Sequence, residues 1–75
     1  MTREEFLQAL VDNGISTDCV CFDDGFKDDV YCVWTYHGIS EVFYRERGTA
    51  CGLTRFTSEP EALQYLLKKL KKIYS

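Results

Sequence analysis

The chain reads as an α+β fold: a single two-layer domain built as helix, three- or four-stranded antiparallel meander, helix. Two observations predict it. Apolar residues recur at helical spacing near both ends of the chain, and the middle holds runs rich in aromatic and β-branched residues, broken by glycine turns. The 75 residues are enough for one domain and no more. With 45% hydrophobic and 28% charged residues the composition is that of a globular protein, so a disordered chain is excluded.

The first helix spans residues 3–13. Thr2 stands three residues before Glu5, which is the pattern of a capping box. Phe6, Leu7, Leu10 and Val11 follow on one face, and Asn13-Gly14 supplies the stop, because glycine enters the left-handed conformation at little cost. Cys19-Val20-Cys21-Phe22 has the propensity of a short strand. The segment from Asp23 to Asp29 is turn-forming and carries Asp23, Asp24, Asp28 and Asp29.

A hairpin comes next. Val30 to Tyr36 is its first strand, His37-Gly38 its turn, and Ile39 to Tyr44 its second strand. A symmetric hairpin pairs Trp34 with Glu41, Val33 with Val42, Cys32 with Phe43, and Tyr31 with Tyr44. Side chains alternate across a strand, so one face carries Val30, Cys32, Trp34, Tyr36, Ile39 and Phe43. The other carries Tyr31, Val33, Val42 and Tyr44. Residues 45–50 close the strand and turn, and residues 52–56 read as a fourth strand.

The last helix spans residues 59–74. Ser58 and Glu61 have capping-box spacing, and Pro60 suits the first helical turn. Leu63, Leu66, Leu67, Leu70 and Tyr74 form one stripe, while Lys68, Lys69, Lys71 and Lys72 favour the negative end of the helix dipole.

Function is read from what this layout leaves over. Both helices are amphipathic and pack most simply on one sheet face, so the second face needs another partner. The reading takes Tyr31, Val33, Val42 and Tyr44 as that open face and as the anchor for a protein partner. The four aspartates would steer a basic partner toward it. A homodimer that pairs these faces is one alternative, and a small nucleic-acid-binding domain that uses the lysine-rich C-terminal helix is another. A net charge of −3 opposes nucleic-acid binding, which rests on neutralising phosphates. The order helix, sheet, helix does resemble the double-stranded RNA-binding domain. That family, however, places its lysines at the start of the second helix, where Glu59 and Glu61 stand in this chain.

Catalytic and metal chemistry find little support. His37 is the one histidine and sits in a turn. The spacing of Cys19, Cys21, Cys32 and Cys51 is not that of paired zinc ligands, and the acidic loop lacks the ligand offsets of a calcium loop. No cofactor is expected, and the four cysteines are read as thiols. The sequence has no apolar run approaching ~20 residues and no leader pattern at its start, so the reading is a cytoplasmic protein without membrane attachment.

Between residues 46 and 70 the chain carries Glu46-Arg47-Gly48, Leu53-Thr54-Arg55-Phe56, Ser58-Glu59-Pro60-Glu61-Ala62 and Tyr65-Leu66-Leu67. This run resembles the small α+β immunity proteins encoded beside bacterial polymorphic toxins. An aromatic strand, a Glu-Arg-Gly turn, a short strand ending in Phe and a Ser-Glu-x-Glu-Ala helix start recur in them. The resemblance implies a non-enzymatic protein that binds a toxin domain and blocks it. It assigns no binding residue, because the contact surfaces of that family differ between members.

Overall fold

In the computed structural model, residues 1–22 and 28–74 are described, and the fold is α+β in two layers. Its elements are α1 (Arg3–Asp12), a single 3-10 turn (Thr17–Cys19), β1 (Val20–Cys21), β2 (Val30–Tyr36), β3 (Ile39–Glu46), β4 (Thr49–Phe56) and α2 (Glu59–Ile73). The sheet order is β1-β2-β3-β4. No helix among the described residues is long and apolar enough to cross a membrane.

The helix ends follow the sequence unequally. Thr2 and Glu5 make both bonds of the capping box: Glu5 N–H donates to Thr2 Oγ1 at 3.1 Å, and Thr2 N–H donates to Glu5 Oε1 at 2.8 Å. The Thr2 bonds hold the Glu5 carboxyl below the usual carboxylate range. Ser58 caps α2 by position only, with no side-chain bond, so the second expected capping box is not made. Glu59 is instead engaged by Arg3, whose Nε donates at 2.8 Å and whose Nη2 donates at 3.3 Å. Thr35 Oγ1 donates to the same carboxylate at 2.7 Å. This cluster ties the first turn of each helix to β2.

The hairpin register is the expected one, with Val33 opposite Val42, Trp34 opposite Glu41 and Tyr31 opposite Tyr44. Positive φ at both His37 (47°) and Gly38 (76°) marks the two-residue turn that suits the right-handed twist of paired strands. The same device recurs at Arg47 (50°) and Gly48 (79°). For that reason β4 starts at Thr49 instead of residue 52: a two-residue turn lets pairing resume at once, with Glu46 opposite Thr49. Pairing then steps from Tyr44–Cys51 to Val42–Thr54, so one extra residue of β4 is accommodated around Gly52, itself at φ 64°.

The all-antiparallel expectation is corrected at β1. That strand pairs parallel with β2, Val20 beside Tyr31 and Cys21 beside Cys32, which makes the sheet mixed. Parallel neighbours need a returning connection.

The principal core lies between helices and sheet. Phe6 and Leu10 of α1, Leu63, Leu66, Leu67 and Leu70 of α2, and Val33 and Val42 of the hairpin form one cluster with Ile15, Val20 and Ala62. The expected α1 stripe is narrower than predicted, since Val11 is exposed, and Tyr74 is exposed on α2. A smaller cluster of Cys21, Val30, Cys32 and Phe43 sits on the opposite sheet face.

These positions set a stability test. Leu66→Ala removes a fully buried side chain from the centre of the core and should cost about 2–5 kcal/mol. Val11→Ala should change stability by no more than about 0.5 kcal/mol. Urea unfolding followed by circular dichroism reads both; equal midpoints for the two variants would contradict this core.

Candidate binding surface

Strand alternation and the register place the hairpin side chains on two surfaces, and the helices choose between them. Both helices pack on the surface of Val33 and Val42, which are 0% and 2% exposed. The expectation that Tyr31, Val33, Val42 and Tyr44 form the open face is therefore corrected. The two valines are core. Tyr31 and Tyr44 are half-buried at its margin, their rings 4.9 Å apart and nearly edge-to-face, with Lys69 Nζ 5.6 Å from the centre of the Tyr31 ring. Burial, followed by the charges of Asp29 and Glu46, raises the Tyr44 hydroxyl above its ordinary pKa.

The reason is steric. A helix can approach a sheet closely over small or β-branched side chains, and this face offers Val33, Val42, Thr35 and Ser40. Ser40 is fully buried. Thr35 gives its proton to the Glu59 carboxylate, so the 2.9 Å contact between the two hydroxyls has Ser40 as donor. Each polar atom under the helices thus has a partner.

The face away from the helices carries the bulk and the charge. Trp34 and Phe43 pack edge-to-face with centroids 5.4 Å apart, over Cys32 and Val30. Leu53, Tyr36 and Ile39 are 46%, 42% and 37% exposed. The Glu41 carboxylate is nearly buried, accepting from Arg55 Nε at 2.7 Å and from the Tyr36 hydroxyl at 2.7 Å. Those bonds, the one from Arg55 first, hold Glu41 below the usual carboxylate range, while the bond to Glu41 pushes the Tyr36 hydroxyl up. Beside Trp34 lies a hollow of about 190 Å³ lined also by Phe43, Arg45, Gly48 and Ala50. The indole Nε1 of Trp34 is buried without a hydrogen-bond partner among the described residues, a cost that buried donors rarely carry. No helix among the described residues covers this face.

Asp23 and Asp24 lie outside the described residues. Asp28 is structural in part: its Oδ1 accepts the Gly48 N–H at 2.9 Å and stands 3.6 Å from Arg45 Nε. Asp29 adopts φ 60° and donates its backbone N–H to the Arg45 carbonyl at 2.6 Å. Both are exposed at the end of the sheet near the Trp34 hollow. His37 is exposed in its turn.

Cys21 and Cys32 are adjacent on the Trp34 side, whereas Cys51 pairs across from Tyr44 on the other side, so the cysteines do not converge. Among the described residues, no group of three or more His, Cys, Asp or Glu side chains is placed to hold a metal ion. Burial, aided by the neighbouring Cys21 thiol, pushes Cys32 up to about 11.

Reading the sequence missed Trp34, Phe43 and the Tyr36–Glu41–Arg55 group as the surface. The signal was present. Glu41 falls opposite Trp34, and an ionised carboxylate cannot sit under a helical layer without a buried cation. The class that the fold and surface define is a small α+β domain with one helix-covered sheet face and one aromatic face edged by charge. No protein-family model, curated protein or solved structure matches the chain.

Two outcomes follow from the thiols. Cys51 is exposed and should react with an aromatic disulfide reagent at pH 8, while Cys21 and Cys32 should react only on unfolding. Because the Cys32 pKa is raised in the folded state, its protonated form stabilises the fold below the unfolded thiol value. That contribution should fade as pH rises from the ordinary thiol range toward about 11. Cys32→Ala should flatten this alkaline loss; an unchanged slope would refute the assignment.

Proposed function

We propose that this chain is a non-enzymatic protein-binding module that contacts its partner through the Trp34 face, and that the partner is a bacterial toxin domain it neutralises. One observation carries the binding reading: the helices cover one side of the sheet, and the other side presents Trp34, Phe43, Leu53, Ile39 and Tyr36 beside Arg45, Arg55 and Glu41. Aromatic anchors at the centre and arginines around them are the side chains that dominate interface energetics. The hollow beside Trp34, lined also by Phe43, Arg45, Gly48 and Ala50, offers a place for a partner side chain.

The toxin reading rests on the sequence resemblance. Its residues are Glu46-Arg47-Gly48, Leu53-Thr54-Arg55-Phe56, Ser58-Glu59-Pro60-Glu61-Ala62 and Tyr65-Leu66-Leu67. A basic partner fits the acidic segment. Asp23, Asp24, Asp28 and Asp29 would raise the rate of encounter more than the strength of the complex.

The direct test is toxin neutralisation and affinity capture with Leu53→Glu and Ile39→Glu, two substitutions at exposed positions that should leave the fold intact. Each should weaken binding by roughly tenfold or more, corresponding to about 1.4 kcal/mol. Folded variants that capture and neutralise as well as the parent would refute the surface. Neutralising Asp23, Asp24 and Asp29 to asparagine should slow association and flatten its salt dependence, and an unchanged on-rate would remove steering.

A further inference from the structure

We propose that the open edge of β4 and the lysine flank of α2 together form a second binding site, which takes an extended acidic segment of a partner protein as a fifth strand. The site lies on the helix side of the sheet and does not depend on the Trp34 face.

The strand edge is the first observation. β4 ends the sheet order, so one row of its backbone groups meets no other strand among the described residues. The residues flanking a two-residue turn exchange both ladder bonds, which makes Glu46–Thr49 a hydrogen-bonded pair. Alternation then turns Thr49 and Cys51 toward β3 and Ala50 outward, and beyond the extra residue it turns Thr54 and Phe56 toward β3 and Arg55 outward. Native edges are usually blunted by several charges, by proline, by brevity or by a β-bulge. This edge is eight residues long, carries Arg55 as its single charge and has no proline. The irregularity at Gly52 is its one break.

The helix flank is the second, independent observation. A groove of about 410 Å³ is lined by Tyr65, Lys68, Lys69 and Lys72, and its charged lining residues are all lysines. The protein as a whole is at −3, so the local field is opposite in sign to the global one. The groove borders β4, because the Tyr65 ring packs on Phe56 at a centroid distance of 5.1 Å. Lys69 Nζ stands 5.6 Å and 5.7 Å from the Tyr31 and Tyr65 ring centres, which fixes the innermost cation over an aromatic floor.

Together these features select a ligand chemistry. A strand added beside β4 lies about 4.8 Å further out, and every second side chain points to the helix side of the sheet. Carboxylates at those alternate positions meet the lysine flank, while the main chain satisfies the outward groups of Ala50 and Arg55. A nucleic acid would have to neutralise many phosphates against a net negative protein.

The test is a titration of isotope-labelled protein with a synthetic peptide of alternating Glu and Val, matched in length to β4, followed by NMR. The expected result is a shift and slowed hydrogen exchange at the Ala50 and Arg55 amides, with affinity falling as salt rises. Lys68→Glu should weaken binding roughly fivefold and leave the urea midpoint unchanged. Absence of shifts with this peptide would overturn the proposal, as would equal binding of a Lys-Val peptide. Tighter binding of oligothymidylate would overturn it too, by assigning the lysines to phosphate.

Discussion

The contact between the leucine stripe of α2 and the paired valines Val33 and Val42 is the constraint on which the rest of the molecule depends. A chain this short has two helices to spend on a sheet with two sides, and Leu63, Leu66 and Leu70 are fully buried where they meet the valine side. Once that side is chosen, alternation sends Trp34, Phe43, Arg45 and Glu41 to the other. The aromatic face is thus a consequence of which side chains are small enough to lie beneath a helix. Trp34 would hold a helix off the sheet; Val33 does not.

A polar clamp fixes the helical layer in place. The Arg3 guanidinium lies 4.7 Å from the centre of the Phe22 ring and makes two bonds to Glu59, while Thr35 and Ser40 complete the chain of donors into the sheet. The group joins residues more than fifty positions apart, so it orients the start of α2 against α1 and β2 at once. On the opposite face Glu41 plays a comparable part, holding Arg55 and Tyr36 in fixed positions beside the exposed Leu53. A surface prepared in this way loses less side-chain freedom when a partner arrives.

Much of the fold was legible in the residues. Thr2 and Glu5 marked the start of α1, and His37-Gly38 set the hairpin register pair by pair. Arg47-Gly48 held the same information, yet arginine is a poor advertisement for a left-handed turn, and β4 was read three residues short. The parallel pairing of β1 was hidden for a different reason: two residues carry no directional signal. The surface was half legible. That one face must be open follows from composition and size, whereas the identity of that face depends on side-chain volume and on where the Glu41 carboxylate can reach a cation. Tyr31 and Tyr44 looked like interface anchors because tyrosine often is one; here they close the margin of the core beneath Lys69. Asp23 and Asp24 lie outside the described residues, so the acidic segment enters through Asp28 and Asp29.

The most direct measurement of this account is the set of through-space contacts of Trp34 by NMR. The helix-covered valine face requires nuclear Overhauser effects from the methyl groups of Val33 and Val42 to those of Leu63, Leu66 and Leu70. It also requires Trp34 indole contacts with Phe43 and Cys32 and none with the α2 leucines. Indole-to-leucine contacts, with the valine methyls free of the helix, would contradict it and return the open face to the side of Tyr31 and Tyr44.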